Sequence, residues 1–172
     1  MISVAEFFGL LALIANFIAY RQTTANRYRI VSACALGALS VHFFMLGAVA
    51  GGVVTAMAVV RNVIALRWRG PIVLWGFVAI NFIFFGWELS NHEPLIPLLL
   101  AYISSIIFTV GSIVLNDPTR IRRWFLLAEL LGLAYAIVVG SVSGTVFNIV
   151  NLTSIILKLL QDRRSERLSE PK

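Results

Sequence analysis

The stretch LIPLLLAYISSIIFTVGSIVL, residues Leu95–Leu115, runs for 21 residues without a charged side chain. A helix needs roughly 20 apolar residues to cross a bilayer, so this stretch predicts a transmembrane helix. The rest of the chain has the same character, since 59% of its 172 residues are hydrophobic and 13% are charged. A soluble domain would need more charged surface. We therefore expect an all-α integral membrane protein.

Seven apolar segments divide the chain, and they predict seven transmembrane helices in one domain, residues 1–161, with a charged, mobile tail at 162–172. The first segment has no basic residue at its start and carries Glu6, so we expect a retained span rather than a signal peptide. The segments are Ile2–Tyr20, Ile30–Leu46, Gly51–Leu66, Pro71–Trp87, Leu95–Leu115, Trp124–Val139 and Thr145–Leu160.

The basic residues fall into every second connector and the tail. These regions hold 13 of the 14 lysines and arginines, whereas the connectors at 47–52, 88–94 and 140–144 hold none. The positive-inside rule makes the basic side cytoplasmic, with a periplasmic N-terminus and a cytoplasmic C-terminus. Charges at span ends are orientation signals, so the net charge of +6 does not predict a nucleic-acid partner.

A shift of 93 positions overlays the two halves of the chain. Gly47-Ala-Val-Ala-Gly-Gly-Val53 then matches Gly140-Ser-Val-Ser-Gly-Thr-Val146, although glycine and valine also recur by chance in apolar sequence. Because both halves start outside and end inside, we expect parallel repeats related by an axis along the membrane normal. The resulting 3+1+3 plan has repeat one at about 2–67, linker helix four at 71–87 and repeat two at about 95–160.

Among the charged residues inside predicted spans, where ionisable groups are functional candidates, two stand out. Arg61 precedes Arg67 by six residues and Glu129 follows Arg123 by six, so both lie about 9 Å from the cytoplasmic end of their helices. Opposite charges at matched depth predict an intramembrane ion pair between the halves. Three interpretations stay open: a gate that opens during transport, a static strap, or an Arg61 that snorkels to the headgroups.

Uncharged polar side chains inside the spans are candidates for a solute-binding cavity near the midplane. His42 could also carry a proton. Each of these residues could instead hydrogen-bond a neighbouring helix, which is the common role of such residues in membranes. The candidates are His42, Asn62, Asn148, Asn151, Asn16 and Asn81.

Catalytic and cofactor motifs are missing from the sequence. It has no phosphate-binding loop, dinucleotide fingerprint, zinc motif or nucleophile elbow, so we predict no enzyme, no catalytic residue, no cofactor and no metal. His92 with Glu88 and Glu93 is interpreted as a solvated loop rather than a metal site. Cys34 is the one cysteine, which excludes an intrachain disulfide.

The run Val41-His-Phe-Phe-Met-Leu-Gly47, followed by Gly51 and Arg61, resembles the signature stretch of the bacterial inner-membrane family called YgjV. This resemblance implies a location and marks His42 and Arg61 as motif positions, but it supplies no substrate. The three-one-three plan is more distantly similar to the SWEET and PQ-loop transporters, which place asparagines on the third helix of each bundle. No Pro-Gln pair occurs here, so the proline-hinged rocking of that group is in doubt.

Three functions remain open from the sequence. A small-solute transporter needs a polar cavity between two three-helix bundles. A non-transporting membrane scaffold or partner subunit would instead have asparagines buried between packed helices. An intramembrane enzyme has no paired carboxylates or activated nucleophile to support it. The lipid bilayer is the expected partner in each case, and a homodimer is compatible with seven short spans.

Overall fold

A computed structural model describes residues 3–20, 25–115 and 118–169. These residues form seven α-helices and no strand, which confirms the all-α prediction. Ile2, Arg21, Asp117 and the last three residues of the predicted tail lie outside the described residues. The helices are α1 (Val4–Tyr20), α2 (Ala25–Met45), α3 (Val49–Ile64), α4 (Pro71–Ser90), α5 (Leu95–Val114), α6 (Pro118–Val138) and α7 (Val142–Ser169).

Three helices extend by five or more residues beyond the apolar segments that predicted them. Helix α2 begins at Ala25 rather than Ile30, and α6 begins at Pro118 rather than Trp124. Helix α7 continues to Ser169, so most of the segment predicted as a mobile tail is helical. Hydropathy reports only the apolar part of a helix, whereas arginine, lysine, glutamate and leucine are all good helix formers outside the membrane. Proline is also well suited to the first position of a helix.

Within the described residues, length and composition identify three helical segments that are long and apolar enough to cross a membrane: Pro71–Ser90, Leu95–Val114 and Val142–Gln161. Three other apolar helical stretches, Val4–Ala19, Arg29–Met45 and Val49–Ile64, are shorter. Large apolar side chains cover the outer surface, and Ile72 of α4 is 89% exposed. A surface of this kind suits lipid rather than water.

The helices pack as two consecutive triplets. Helix α2 packs against α1 and α3 in the first triplet, and α6 packs against α5 and α7 in the second. The triplets meet where α3 contacts α5 and where α1 contacts α7, while α4 packs on α5 and α3. The space between the triplets is therefore bordered by both halves of the chain.

The turns α2–α3 and α6–α7 have the same geometry. Gly47 and Gly140 lie 93 residues apart and have φ angles of 72° and 70°, which glycine adopts without steric penalty. In each turn the amide after the glycine donates to a carbonyl five residues earlier, at 2.9 Å, as in a Schellman motif. Helices α2 and α6 also begin and end 93 residues apart.

Candidate functional site

A cavity of about 270 Å³ lies between the two triplets. Among the described residues, its lining comes from α1, α2, α3, α5, α6 and α7 but not from α4. Apolar rings and aliphatic chains share the wall with many polar groups. The polar side chains are Asn16, Arg29, Ser32, Thr55, Arg61, Asn62, Ser104, Ser105, Ser112, Glu129, Tyr135, Asn148 and Asn151.

Lining residues at the two ends of the cavity differ in burial. Arg29, Asn62 and Ser112 line it near the helix ends that carry the arginines, and they are only partly buried. At the other end, near the two glycine turns, the lining residues Phe43 and Tyr135 are buried. Among these residues the lining is therefore more deeply buried at the turn end than at the basic helix ends.

One wall of the cavity carries a hydrogen-bonded chain across three helices. Asn16 of α1 donates from Nδ2 to Oδ1 of Asn151 on α7, at 2.5 Å. Asn151 donates in turn from Nδ2 to Oε1 of Glu129 on α6, at 3.0 Å. All three side chains are buried, so each bond stabilises a polar group that would otherwise be desolvated without compensation. This wall holds the carboxylate of the cavity in place.

The facing wall carries a cation. Arg61 of α3 is 6% exposed and donates from its guanidinium to Oγ1 of Thr109 on α5, at 3.0 Å. Arg61 and Glu129 thus line the same cavity from different helices. The ion pair between Arg61 and Glu129 remains a prediction. The contacts described above join Arg61 to Thr109 and Glu129 to Asn151.

Four of the six predicted cavity residues line the cavity: Asn16, Asn62, Asn148 and Asn151. Asn62 donates to Oγ of Ser32 at 3.4 Å. Asn148 donates to the Gly144 carbonyl one turn earlier in its own helix, at 2.8 Å.

His42 and Asn81 lie outside this lining. Asn81 on α4 is buried and donates to the Phe77 carbonyl of its own helix at 2.7 Å. His42 is fully buried at the turn end, where it connects helices instead of facing the cavity.

His42 joins the first triplet to the turn of the second. Its Nδ1 lies 2.7 Å from the Ala5 carbonyl, and its Nε2 lies 2.7 Å from Oγ of Ser141. Because a carbonyl only accepts, Nδ1 carries the proton in this arrangement. A neutral ring then accepts the Ser141 hydroxyl proton at Nε2, while Ser141 Oγ accepts from the Gly144 amide at 2.9 Å.

Tyr135 makes the reciprocal connection from the second triplet to the turn of the first. Its hydroxyl accepts from the Gly51 amide at 2.6 Å and donates to the Ala48 carbonyl at 3.2 Å. Tyr135 is 93 residues after His42, and Ser141 is 93 residues after Ala48. We call the set His42, Ser141, Tyr135, Ala48 and Gly51 the crossed latch.

The crossed latch also supplies a helix cap across the triplets. The Gly51 amide lies in the first turn of α3, where backbone donors have no partner within the helix. Ala48, the N-cap residue of α3, makes no side-chain cap bond, and the Tyr135 hydroxyl supplies the missing acceptor. In α7 the matching Gly144 amide is capped by Ser141 of the same turn.

Tyr135 separates the cavity from a second space. A smaller cavity of about 140 Å³ lies at the turn end, lined by residues that include Glu93, Pro97 and Leu98. Tyr135 lines both cavities. It is therefore the side chain that stands between the polar cavity and the turn end of the molecule.

Sequence reasoning missed several residues of this site, among them Thr109 and Tyr135. Threonine in an apolar helix usually bonds its own backbone, and tyrosine is common in membrane helices, so neither type was informative alone. The overlay of the two halves could have identified these residues, because a shift of 93 positions aligns Thr109 with Asn16 and Tyr135 with His42. The described residues contain no group of three or more His, Cys, Asp or Glu placed to hold a metal ion.

The fold and its apolar outer surface define an α-helical integral membrane protein with a polar interior cavity. The chain matches the family model Imp-YgjV, described as a bacterial inner membrane protein, over residues 3–166, and it belongs to this family. Membership confirms the resemblance seen at Val41–Gly47 and the location in the bacterial inner membrane. Searches of curated proteins and of solved structures give no significant match.

Proposed function

We propose that this protein is a small-solute transporter that binds its solute in the cavity between the two triplets. The observation that carries the proposal is a polar cavity of about 270 Å³ between the triplets, with buried lining residues at the turn end and partly buried ones at the basic helix ends. Charged side chains such as Arg61 and Glu129 are costly inside a membrane protein, and they commonly mark substrate or ion pathways. A scaffold has no use for such a cavity.

Five observations support the parallel 3+1+3 repeat on which transport would rest. The bounds of α2 and α6 and the geometry of the two glycine turns repeat after 93 residues. The contact of α3 with α5 maps onto that of α7 with α1. In the crossed latch, His42 of the first half contacts Ser141 of the second, and the equivalent Tyr135 of the second half contacts Ala48 of the first. Asn16 and Thr109, also equivalent, each bond the third helix of the opposite triplet.

We infer seven spans, including the helices with shorter apolar stretches. Helix α3 has 16 residues and so is about 24 Å long, a few ångströms less than the roughly 30 Å hydrocarbon layer. Local thinning of the bilayer accommodates such a mismatch at modest cost. Helix α6 carries Glu129, which lines the cavity and so need not face lipid.

Orientation follows from the basic helix ends. The positive-inside rule places them in the cytoplasm, with the N-terminus in the periplasm and the C-terminus in the cytoplasm. The cavity would then open to the cytoplasm, and the crossed latch would close it toward the periplasm. Transport requires a second state in which the latch separates and the basic end closes.

The test is thiol accessibility in a Cys34→Ser background. Asn148→Cys places a thiol on the cavity, and Ile149→Cys, which is 47% exposed on the outer face, is the matched control. A membrane-impermeant maleimide should modify position 148 from the cytoplasmic side of inside-out vesicles and leave position 149 unreacted, because thiolates form only in water.

Slower modification of position 148 from the periplasmic side would report the alternate state. Failure to modify position 148 from either side would mean a dry, packed centre and would support the scaffold instead.

A further inference from the structure

We infer that Glu88 of α4 is a proton-binding site, and that its proton is the ion coupled to transport through the cavity. Glu88 lies outside the lining of the main cavity, on the helix that packs against one helix of each triplet. The proton site is independent of the proposed function, whereas the coupling rests on it.

The carboxyl group of Glu88 is buried and has a single hydrogen-bond partner. The residue is 0% exposed, and its Oε1 accepts from the Tyr102 hydroxyl of α5 at 2.5 Å. Its Oε2 is buried and has no hydrogen-bond partner. Glu88 shares the buried face of α4 with Phe77 and Asn81, and α4 packs on α5 and α3. The carboxyl group therefore lies between helices rather than against lipid.

The ionisable groups described around Glu88 offer no cation to balance a negative charge there. On α5 the one ionisable side chain is Tyr102, and on α3 it is Arg61, three residues from the basic end of that helix. In the connector, Glu93 adds a charge of the same sign and His92 is exposed. A carboxylate buried without a cation is far more costly than a buried neutral acid, so this site favours a proton on Glu88.

A proton fits the site better than a metal ion. Ca²⁺ and Mg²⁺ usually take six or more oxygen ligands, whereas the hydrogen-bonded pair has only the two Glu88 oxygens and the Tyr102 hydroxyl. Asn81 also has a buried oxygen without a partner, but it lies seven residues earlier, about 10 Å along the helix. A proton needs one oxygen, and Oε2 of Glu88 supplies it.

The position of Glu88 connects it to the turn end of the molecule. It lies two residues before the end of α4, and its carbonyl accepts from the Glu93 amide at 3.3 Å. Tyr102, its hydrogen-bond partner, belongs to the same buried apolar cluster as Tyr135 of the crossed latch. We expect a charge on Glu88 to loosen this cluster. Proton binding then favours the latched state, and by linkage the opening of the latch releases the proton.

Infrared difference spectroscopy of the purified full-length protein tests the proton directly. A protonated carboxyl group has a carbonyl stretching band that a carboxylate lacks. We expect this band in the wild-type protein at neutral pH and its loss from Glu88→Gln. Glu93→Gln, which removes the neighbouring carboxylate of the connector, is the matched control and should keep the band. Equal bands in the wild type and Glu88→Gln would overturn the proton site.

Tyr102→Phe is a second variant, which decides the question if Glu88→Gln does not fold. It keeps the ring that packs edge-on against Phe85, with centroids 5.7 Å apart, and removes the hydrogen bond to Glu88. The band should move to higher frequency, because the carbonyl group loses its donor. An unmoved band would assign the proton to another carboxyl group. Loss of the band on addition of NaCl at constant pH would indicate a sodium site, and either result overturns the inference.

The coupling is tested with Asn148→Cys of the thiol assay, at the same pH on both sides of the membrane. The ratio of the periplasmic to the cytoplasmic rate removes the pH dependence of the thiol itself. We expect this ratio to rise with pH by about fivefold or more, the lower end of usual coupling, and to stay constant in Glu88→Gln. An equal rise in both would overturn the coupling. No reaction from either side would contradict transport, and the infrared bands would still decide the proton site.

Discussion

Replacing Tyr135 by phenylalanine removes one oxygen atom from the crossed latch and keeps the aromatic ring. The ring packs edge-on against Phe43, with centroids 5.5 Å apart, and that contact survives the substitution. The Ala48 carbonyl keeps a partner, because it also accepts from the Gly52 amide at 3.1 Å. The Gly51 amide loses its 2.6 Å acceptor and becomes a buried donor in the first turn of α3.

The structure sets the size of the effect. Leaving one buried donor unsatisfied costs about 1–3 kcal/mol, and hydrogen bonds between membrane helices are typically worth about 0.6–2 kcal/mol. We therefore expect Tyr135→Phe to destabilise the protein by about 1–2 kcal/mol. For a chain of this size that lowers the midpoint of thermal unfolding by about 2–8 °C.

A second substitution tests whether the lost bond is a helix cap. Ala48→Ser places a hydroxyl where Ser141 has one in the matching turn, and that hydroxyl accepts from the Gly144 amide at 2.9 Å. In the Tyr135→Phe background, Ala48→Ser should recover most of the lost midpoint, because serine is a strong N-cap residue. Val49→Ser is the control, since its hydroxyl lies one residue past the cap.

The assay is thermal unfolding in one detergent at one scan rate, followed by thiol accessibility. The double variant restores the cap but not the link between triplets. Asn148→Cys should therefore react faster from the periplasmic side in both the single and the double variant. An unchanged midpoint in Tyr135→Phe, or equal recovery by Val49→Ser, would refute the capping argument.

Three further predictions use the same thermal assay. His92 has φ of 63°, so His92→Gly should raise stability by about 1 kcal/mol, and a lower midpoint would contradict this. Gly47→Ala should lower the stability by about 1–2 kcal/mol, because φ at this position is 72°. Gly76→Ala is the control: Gly76 lies inside a helix with open space around it, so the substitution should be neutral or stabilising. Asn151→Leu removes two buried hydrogen bonds between helices and should lower the stability by about 1–3 kcal/mol. Asn81→Leu should lower it less, because Asn81 makes one bond, to a carbonyl of its own helix. Equal losses of stability in the two variants would count against the network.

The helices could be predicted because apolar length is a direct property of the sequence. Each of the seven segments has its helix, and Pro71 and Leu95 begin α4 and α5 where predicted. Helix ends outside the apolar stretch were less predictable. The basic turns at the starts of α2 and α6 and the charged end of α7 are helical because nothing in them breaks a helix. Hydropathy does not record that tendency.

The polar residues of the cavity could be predicted as a set, because polar groups in a membrane span tend to face the protein interior. Their partners could not. The bond between Asn16 and Asn151 depends on α1 packing against α7, and no local pattern specifies which helices become neighbours. His42 was predicted to line the cavity because it is a polar residue within a span, whereas the structure places it against Ala5 and Ser141, outside the lining.

Under the proposed transport function the crossed latch has to open, so the strength of its contacts matters. Three contacts join the triplets there: His42 with Ser141, Tyr135 with the first turn, and Ser143 with Glu6. At about 1–2 kcal/mol each, they hold the end closed with about 3–6 kcal/mol. A solute bound with micromolar affinity supplies about 8 kcal/mol, and about 3–6 kcal/mol of it would have to favour the open state to offset these contacts. If the triplets rotate against each other, as the proposed transport requires, we expect the His42 and Tyr135 contacts to break together, because they occupy equivalent positions.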